Sequence, residues 1–373
     1  MAQPHREVPP TAATCPPDAF SIGQMRVESL TPTVIRENLM PIILLYGDYH
    51  TASVWLTKPD RRQGWAYFFA ERGYRVYAPH LPFHGRSGAL VHYERVKAIT
   101  PQTVENLYTA INKTNNPEWS AAKTHTGGVR GDPIFDDYLK QLFPLYMDPH
   151  ERQAAAQEAV ASLLRFLKRP AILVAQGSGA NVAWLVADVA PDLIHAIVAV
   201  EPLGPPFGSA LGNQNGQLGP TSGFTRATGI RQYGLADIPM QFDPPVAAPE
   251  SFEELFGGTY PASEPIPVRN FHRFSDWATV HFLRQAGATV KHHRLEEHGI
   301  RGNGHLCFLE ENSKDVANHV LNWLHDETSV PKLQVLEARP SPSQAISPSG
   351  DHRQSLILPP EKTCPTKKET SRN

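Results

Sequence analysis

The sequence predicts an α/β fold with a mostly parallel central sheet and helices on both faces. Three observations predict it. Between about residues 26 and 332, short apolar runs alternate with amphipathic stretches, the pattern of strands connected by helices. The stretch 170–202, PAILVAQGSGANVAWLVADVAPDLIHAIVAVEP, reads as strand, Gly-rich turn, helix and strand in immediate succession. Turn-rich segments such as YGDYHTAS and PHLPFHGRSG follow directly on apolar runs, as they do where strands end at the ligand-binding edge of a parallel sheet.

Taken in order, residues 41–45, PIILL, are the first expected buried strand. After the loop YGDYHTAS, the run GWAYFFAERG is expected to be helical, with Trp65, Phe68 and Phe69 on one face and Gly73 placed to end it. A strand over 74–78 leads into PHLPFHGRSG, and from about 93 to 150 the periodicity fades. That span and the Gly- and Pro-rich span 203–260 are expected to be lid-like insertions over the carboxyl edge of the sheet. A helix over 151–168 feeds the central strand and turn, and a strand over 195–200 follows. Further on come a strand near 265–271, a helix over 276–286 and a last strand near 290–295. The closing helix, 314–325, puts Val316, Val320, Leu321 and Leu324 on one face behind an Asn312-Ser313 cap. Residues 1–25 and 333–373, rich in Pro, Ser, Thr and Lys, are expected to be disordered tails, because they bury too little to offset the entropy of ordering. One domain, 26–332, is left between them.

Composition narrows the function classes. Lys and Arg total 35 against 37 Asp and Glu, a net charge of −2, so no basic footprint asks for nucleic acid or an anionic membrane. The three cysteines, Cys15, Cys307 and Cys364, are too few and too far apart for a disulfide framework or a thiolate zinc site. The 17 histidines are scattered without an HExxH, and His292 and His293, adjacent on an expected strand, point to opposite faces. No metal is expected. Neither a dinucleotide fingerprint nor a P-loop is present, so no cofactor is expected either. Prolines and charges interrupt the first twenty residues, where a secretory leader would carry roughly 7 to 15 apolar residues in a row. No segment reaches the roughly 18 apolar residues of a transmembrane helix. The expectation is a cytoplasmic protein that takes a small-molecule substrate, without nucleic-acid partners or membrane insertion.

The turn in AQGSGANVAW concentrates the chemistry. A strand that runs straight into a helix through small residues presents one side chain beside the free N-H groups of the helix start, which is how a nucleophile elbow is built. Either Gly177 or Ser178 stands at its apex. If Ser178 does, its hydroxyl can attack. If Gly177 does, the turn adopts its strained angles freely but offers no oxygen, and Ser178 is left to cap the helix.

The order of strands, the HGRSG loop, the elbow and the motifs YGLADIPMQFDPPV, GDPIFDD, FLRQAG, AIVAVEP and RGNGHLCFLEEN resemble the α/β-hydrolase superfamily, in particular a group of bacterial and fungal esterase-like proteins. The resemblance covers about residues 35–327. It implies the α/β-hydrolase fold and places His305, in GNGHLCFLE, where that fold carries its catalytic histidine. It also implies that Glu201, at the end of HAIVAVEP, is the acid that orients His305, with Asp276 as the substitute from the later position. Counting back from Trp184, relatives carry their serine at the place of Gly177. Where they carry H-G-G-G for the oxyanion, this chain has Tyr46-Gly47-Asp48-Tyr49, so Gly47, Asp48 and Gly177 are the expected oxyanion and elbow residues. Arg86 of HGRSG is expected to be structural.

Three functions follow as expectations. In the first, the protein hydrolyses an ester, thioester or lactone, with Ser178 attacking, His305 as base and then acid, and Glu201 orienting it. In the second, His305 and Glu201 move a proton in a dehydration, isomerisation, condensation or cyclisation, with no covalent step. In the third, the pocket binds without catalysis. The resemblance to fungal proteins implies a small to medium organic substrate of a natural-product pathway.

Overall fold

Strand polarity and register bring the chemical loops of this chain to one edge of a sheet. The computed structural model describes residues 24–88, 95–109, 128–211, 223–226, 229–241, 273–327 and 353–358. Six strands form the central sheet: β1 (Met25–Leu30), β2 (Ile42–Leu45), β3 (Val76–His80), β4 (Ala171–Gln176), β5 (Ile194–Val200) and β6 (Arg353–Leu358), in the spatial order β6-β1-β3-β2-β4-β5. The pairs β3-β2, β2-β4 and β4-β5 are parallel, and β1 runs antiparallel to both β3 and β6. Leu45 pairs with Ala175, and Gln176 with Val200. The chain therefore leaves β2, β4 and β5 at one level, and Gly47, Gly177 and Glu201 emerge side by side.

The central strands β2 and β4 are apolar runs because both of their faces are covered. Ile42 to Leu45 and Ala171 to Ala175 are completely buried. Helix α1 (Trp65–Ala70) lays Trp65, Phe68 and Phe69 against the sheet, and the Trp65 indole N-H donates to the Ser313 carbonyl at 3.0 Å, tying it to the last helix. Helix α2 (Pro149–Leu167) starts at Asp148, whose carboxylate accepts the N-H groups of His150 and Glu151 at 3.0 and 3.1 Å. Helix α3 (Ser178–Val189) follows the elbow. A Cβ on Gly179 would lie 2.7 Å from the Tyr46 carbonyl, so this glycine lets α3 press onto the end of β2. Helices α4 (Arg273–Gln285) and α5 (Ser313–Glu327) follow later in the chain, with Val316, Val320, Leu321 and Leu324 of α5 buried as expected.

Two expectations are corrected. Residues 290–295 form no strand: 288–294 have no ladder among the described residues, and Leu295–His298 is a 3-10 turn. Sequence pattern alone suggested it, whereas a strand needs a neighbour for its N-H and C=O groups, and this segment is half-buried to exposed. Conversely, within the span 333–373, Arg353–Leu358 pairs along the whole of β1, from Met25 opposite Leu358 to Leu30 opposite Arg353. A short RQSLIL run finds an edge whose hydrogen bonds are otherwise open. The remainder of that span, the tail 1–23 and the strand expected near 265–271 lie outside the described residues, as do parts of both insertions.

Candidate active site

The elbow is built on Gly177. Its φ of 55° and ψ of −125° form a combination that a residue with a side chain adopts only under strain. A Cβ at this position would sit 3.5 Å from Gly47 Cα and 3.8 Å from Cε1 and Nε2 of His305. A side chain here would begin at the imidazole, so the apex of the turn is Gly177 and Ser178 is the first residue of α3. Ladder bonds hold the turn: the Gly177 N-H donates to Val200 O, and its carbonyl accepts the Leu203 N-H, both at 3.1 Å.

Ser178 faces a different neighbour. Its hydroxyl donates to Asp48 Oδ1 at 2.6 Å, and the same oxygen lies 3.6 Å from the Arg152 guanidinium. Asp48 thus turns its charge toward Arg152. A cavity beside the elbow is lined by Tyr46, Gly47, Asp48, His84, Arg152 and Ser178. The Ser178 hydroxyl makes no capping bond; Gly177 is the N-cap residue of α3.

His305 is brought to the elbow by the loop before α5, where it is 5% exposed. Glu310 shapes that loop. Its carboxylate accepts the Gly304 N-H at 2.6 Å and the Asn303 amide at 2.7 Å, while Asn303 and Asn312 exchange amide bonds at 2.6 and 2.9 Å. Burial pushes the Glu310 carboxyl up to about 8, although the Gly304 and Asn303 donors pull the other way. Nδ1 of His305 is 3.9 Å from Glu201 Oε2. Asp276, considered as a substitute acid, lies on α4 and lines with Glu201 a neighbouring cavity.

Gln176, the last residue of β4, supplies the contact that sequence reasoning missed. Its amide nitrogen is 2.8 Å from His305 Nε2, and its Oε1 accepts the Gly47 N-H at 3.2 Å. The Gly47 N-H needs an acceptor, which sets the amide orientation. The amide nitrogen then donates to His305, so Nε2 is the acceptor and the ring proton sits on Nδ1, toward Glu201. In the sequence Gln176 merely ends a buried apolar run.

The first insertion closes over the imidazole. Tyr108 stacks on His305 with centroids 5.5 Å apart and planes at 27°. Behind it Tyr138, from the helix Pro133–Leu139, shares a 2.8 Å hydrogen bond with His50 Nε2. Burial lowers His50 to about 4, with the nearby His305 a smaller cause. Burial also raises the Tyr108 phenol. Both side chains are uncharged near neutral pH. Arg86 is structural as expected, pairing with the buried Glu28 on β1.

No family model matches the chain. It is 30% identical over 310 residues to a protein named "Probable secreted lipase phiG" from Fungal sp. (strain ATCC 74256), covering 77% of this chain and 82% of the relative. A bacterial protein described as a novel esterase superposes with a TM-score of 0.52 at 19% identity, covering 83% of this chain and 87% of that one. At that identity the likeness is one of fold, and the fold is the α/β-hydrolase one. The cytoplasmic expectation is overturned by the first comparison, since a relative matched over most of this chain is named as secreted. That expectation rested on a missing apolar leader, and a missing signal is no address. Among the described residues no helix is long and apolar enough to cross a membrane.

Proposed function

This chain belongs to the esterase/lipase-like members of the α/β-hydrolase superfamily, and from that premise we propose that it cleaves an ester, thioester or lactone of a small to medium organic molecule by attack of water, with His305 as general base. The observation that carries this reading is the Gln176 amide, which holds the two positions a reacting carbonyl needs. Its oxygen sits on the Gly47 N-H and its nitrogen on His305 Nε2. The two atoms of an amide are roughly 2.3 Å apart by standard bond lengths, close to the spacing of two oxygens on one tetrahedral carbon.

A substrate displacing that amide would put its carbonyl oxygen on the Gly47 N-H, supported by the free N-H groups at the start of α3. Water would take the place at His305 Nε2, in the space that the bare Gly177 leaves. The water oxygen attacks the carbonyl carbon while its proton passes to Nε2. The bond to the leaving oxygen or sulfur then breaks, and the proton passes from His305 to the leaving group. Glu201 stabilises the imidazolium formed between these steps. Attack by Ser178 would require its hydroxyl to exchange Asp48 for His305.

A second reading is favoured by the same bare Gly177: His305 and Glu201 move a proton in a dehydration, isomerisation, condensation or cyclisation, with no hydrolysis. A panel of aryl esters, thioesters and lactones, read together with labelling by a fluorophosphonate, separates the readings. Water attack is expected to give turnover that His305→Ala abolishes and Ser178→Ala spares, with no label on the wild type. Labelling lost in Ser178→Ala would establish a serine nucleophile instead. Turnover indifferent to His305→Ala would remove both.

A further inference from the structure

Away from the elbow, three histidines that are far apart in sequence meet. His293 lies in the extended segment after α4, His298 ends the 3-10 turn Leu295–His298, and His319 projects from α5. One ring nitrogen from each lies within 4.8 Å of the others. His293 Nδ1 and His319 Nε2 are 3.0 Å apart, and the ring centroids stand 4.3 to 5.3 Å from one another.

We propose that His293, His298 and His319 bind a divalent transition-metal ion, with zinc the best match. Three imidazoles with one open position are a known zinc donor set, at Zn-N distances of about 2.0 to 2.1 Å. Tetrahedral ligands at that distance are about 3.3 Å apart, so the 3.0 Å pair already stands within a few tenths of an ångström of chelating spacing. Imidazole also suits copper and nickel, whereas calcium and magnesium need oxygen ligands. A packing explanation accounts for the His293-His319 hydrogen bond but not for a third ring nitrogen converging on it. His298 is the exposed member and the other two are half-buried, so the ion has a route in and a water has the fourth position. The turn bearing His298 ends at Gly299 in the left-handed region, φ 77°, and a small rotation there closes the remaining distance.

Placement suggests a purpose. Residues 293–298 lead to the Asn303-Gly304-His305 loop, and His319 lies on the helix after it, so an ion bridging them would clamp both ends of the segment that carries His305. His293 also lines, with Glu201 and Asp276, the cavity behind the acid.

The test is zinc titration of the full chain, purified without a histidine tag and stripped with a chelator. The wild type is expected to hold one equivalent of zinc through gel filtration and, with cobalt, to show the visible bands of a tetrahedral site. His298→Ala, at an exposed position, is expected to fold normally and to weaken binding by more than about 100-fold, beyond the 10- to 100-fold that loss of an outer partner costs. His319→Ala should do the same, and His292→Ala should bind as wild type. A wild type that retains no zinc, or a folded His298→Ala that binds as tightly as wild type, would overturn the site.

Discussion

Gln176 donates its side-chain amide to Nε2 of His305 at 2.8 Å, the atom that a serine hydroxyl would face in a triad hydrolase. Gln176 is completely buried, and its other amide atom holds the Gly47 N-H. One side chain thus holds His305 Nε2 and the Gly47 N-H together, and under the proposed water attack a substrate must move it.

Gln176→Ala is therefore expected to raise kcat/KM for a small ester by roughly tenfold, the worth of about one neutral hydrogen bond that no longer has to be displaced. Steady-state kinetics check this, and a fall in kcat/KM would show that the amide assists the reaction.

Gly177→Ser should convert the site to a serine elbow. The new Cβ has room, with nothing nearer than 3.5 Å, and points at His305. The backbone there is strained for a residue with a side chain, φ 55° and ψ −125°, so stability should fall by about 1 to 3 kcal/mol. Mass spectrometry after fluorophosphonate treatment should find the label on residue 177 of the variant, and absence of label would place the hydroxyl out of reach of His305.

Replacing Glu201 by Gln keeps the shape and removes the charge 3.9 Å from His305 Nδ1. Turnover is expected to drop by about 100-fold or more, through loss of the tautomer and of imidazolium stabilisation, with KM little changed. An Asp276→Asn variant that loses as much while Glu201→Gln is spared would move the acid to α4.

His50 makes the fold acid-sensitive. Its folded value is lowered to about 4 from 6.5 by burial, so the unfolded chain binds the proton more readily. The stability held above pH 6.5 is lost as the pH falls through about 4, up to about 3 kcal/mol. Denaturant midpoints measured between pH 7 and 4 should decline over that window, and more shallowly in His50→Gln. Equal slopes in the two proteins would assign the acid sensitivity to other groups, of which the buried His84, also lowered to about 4, is the first to test.

How much of this was readable beforehand depended on whether a signal is local. The run AILVAQGSGANVAW declares strand, turn and helix because each of its residues must suit its own backbone and burial. The same residues left Gly177 and Ser178 as alternatives, and the backbone angles of Gly177 with the direction of its missing Cβ decided between them. Motifs around His305 and Glu201 announced two side chains that the fold brings within 3.9 Å. Gln176, Tyr108 and Glu310 announced nothing, because a residue that ends a strand or lies in an aperiodic insertion has its neighbours set by other parts of the chain.

The sequence alone determined the layer architecture, since alternating apolar runs can be buried on both faces only between helices. It also determined which loops share the carboxyl edge of the sheet. Only the tertiary structure decided what those loops do to one another: that the Ser178 hydroxyl goes to Asp48, that the Gln176 amide occupies His305, and that His293, His298 and His319 converge. Contacts between side chains distant in sequence follow from packing, and packing is a property of the whole chain.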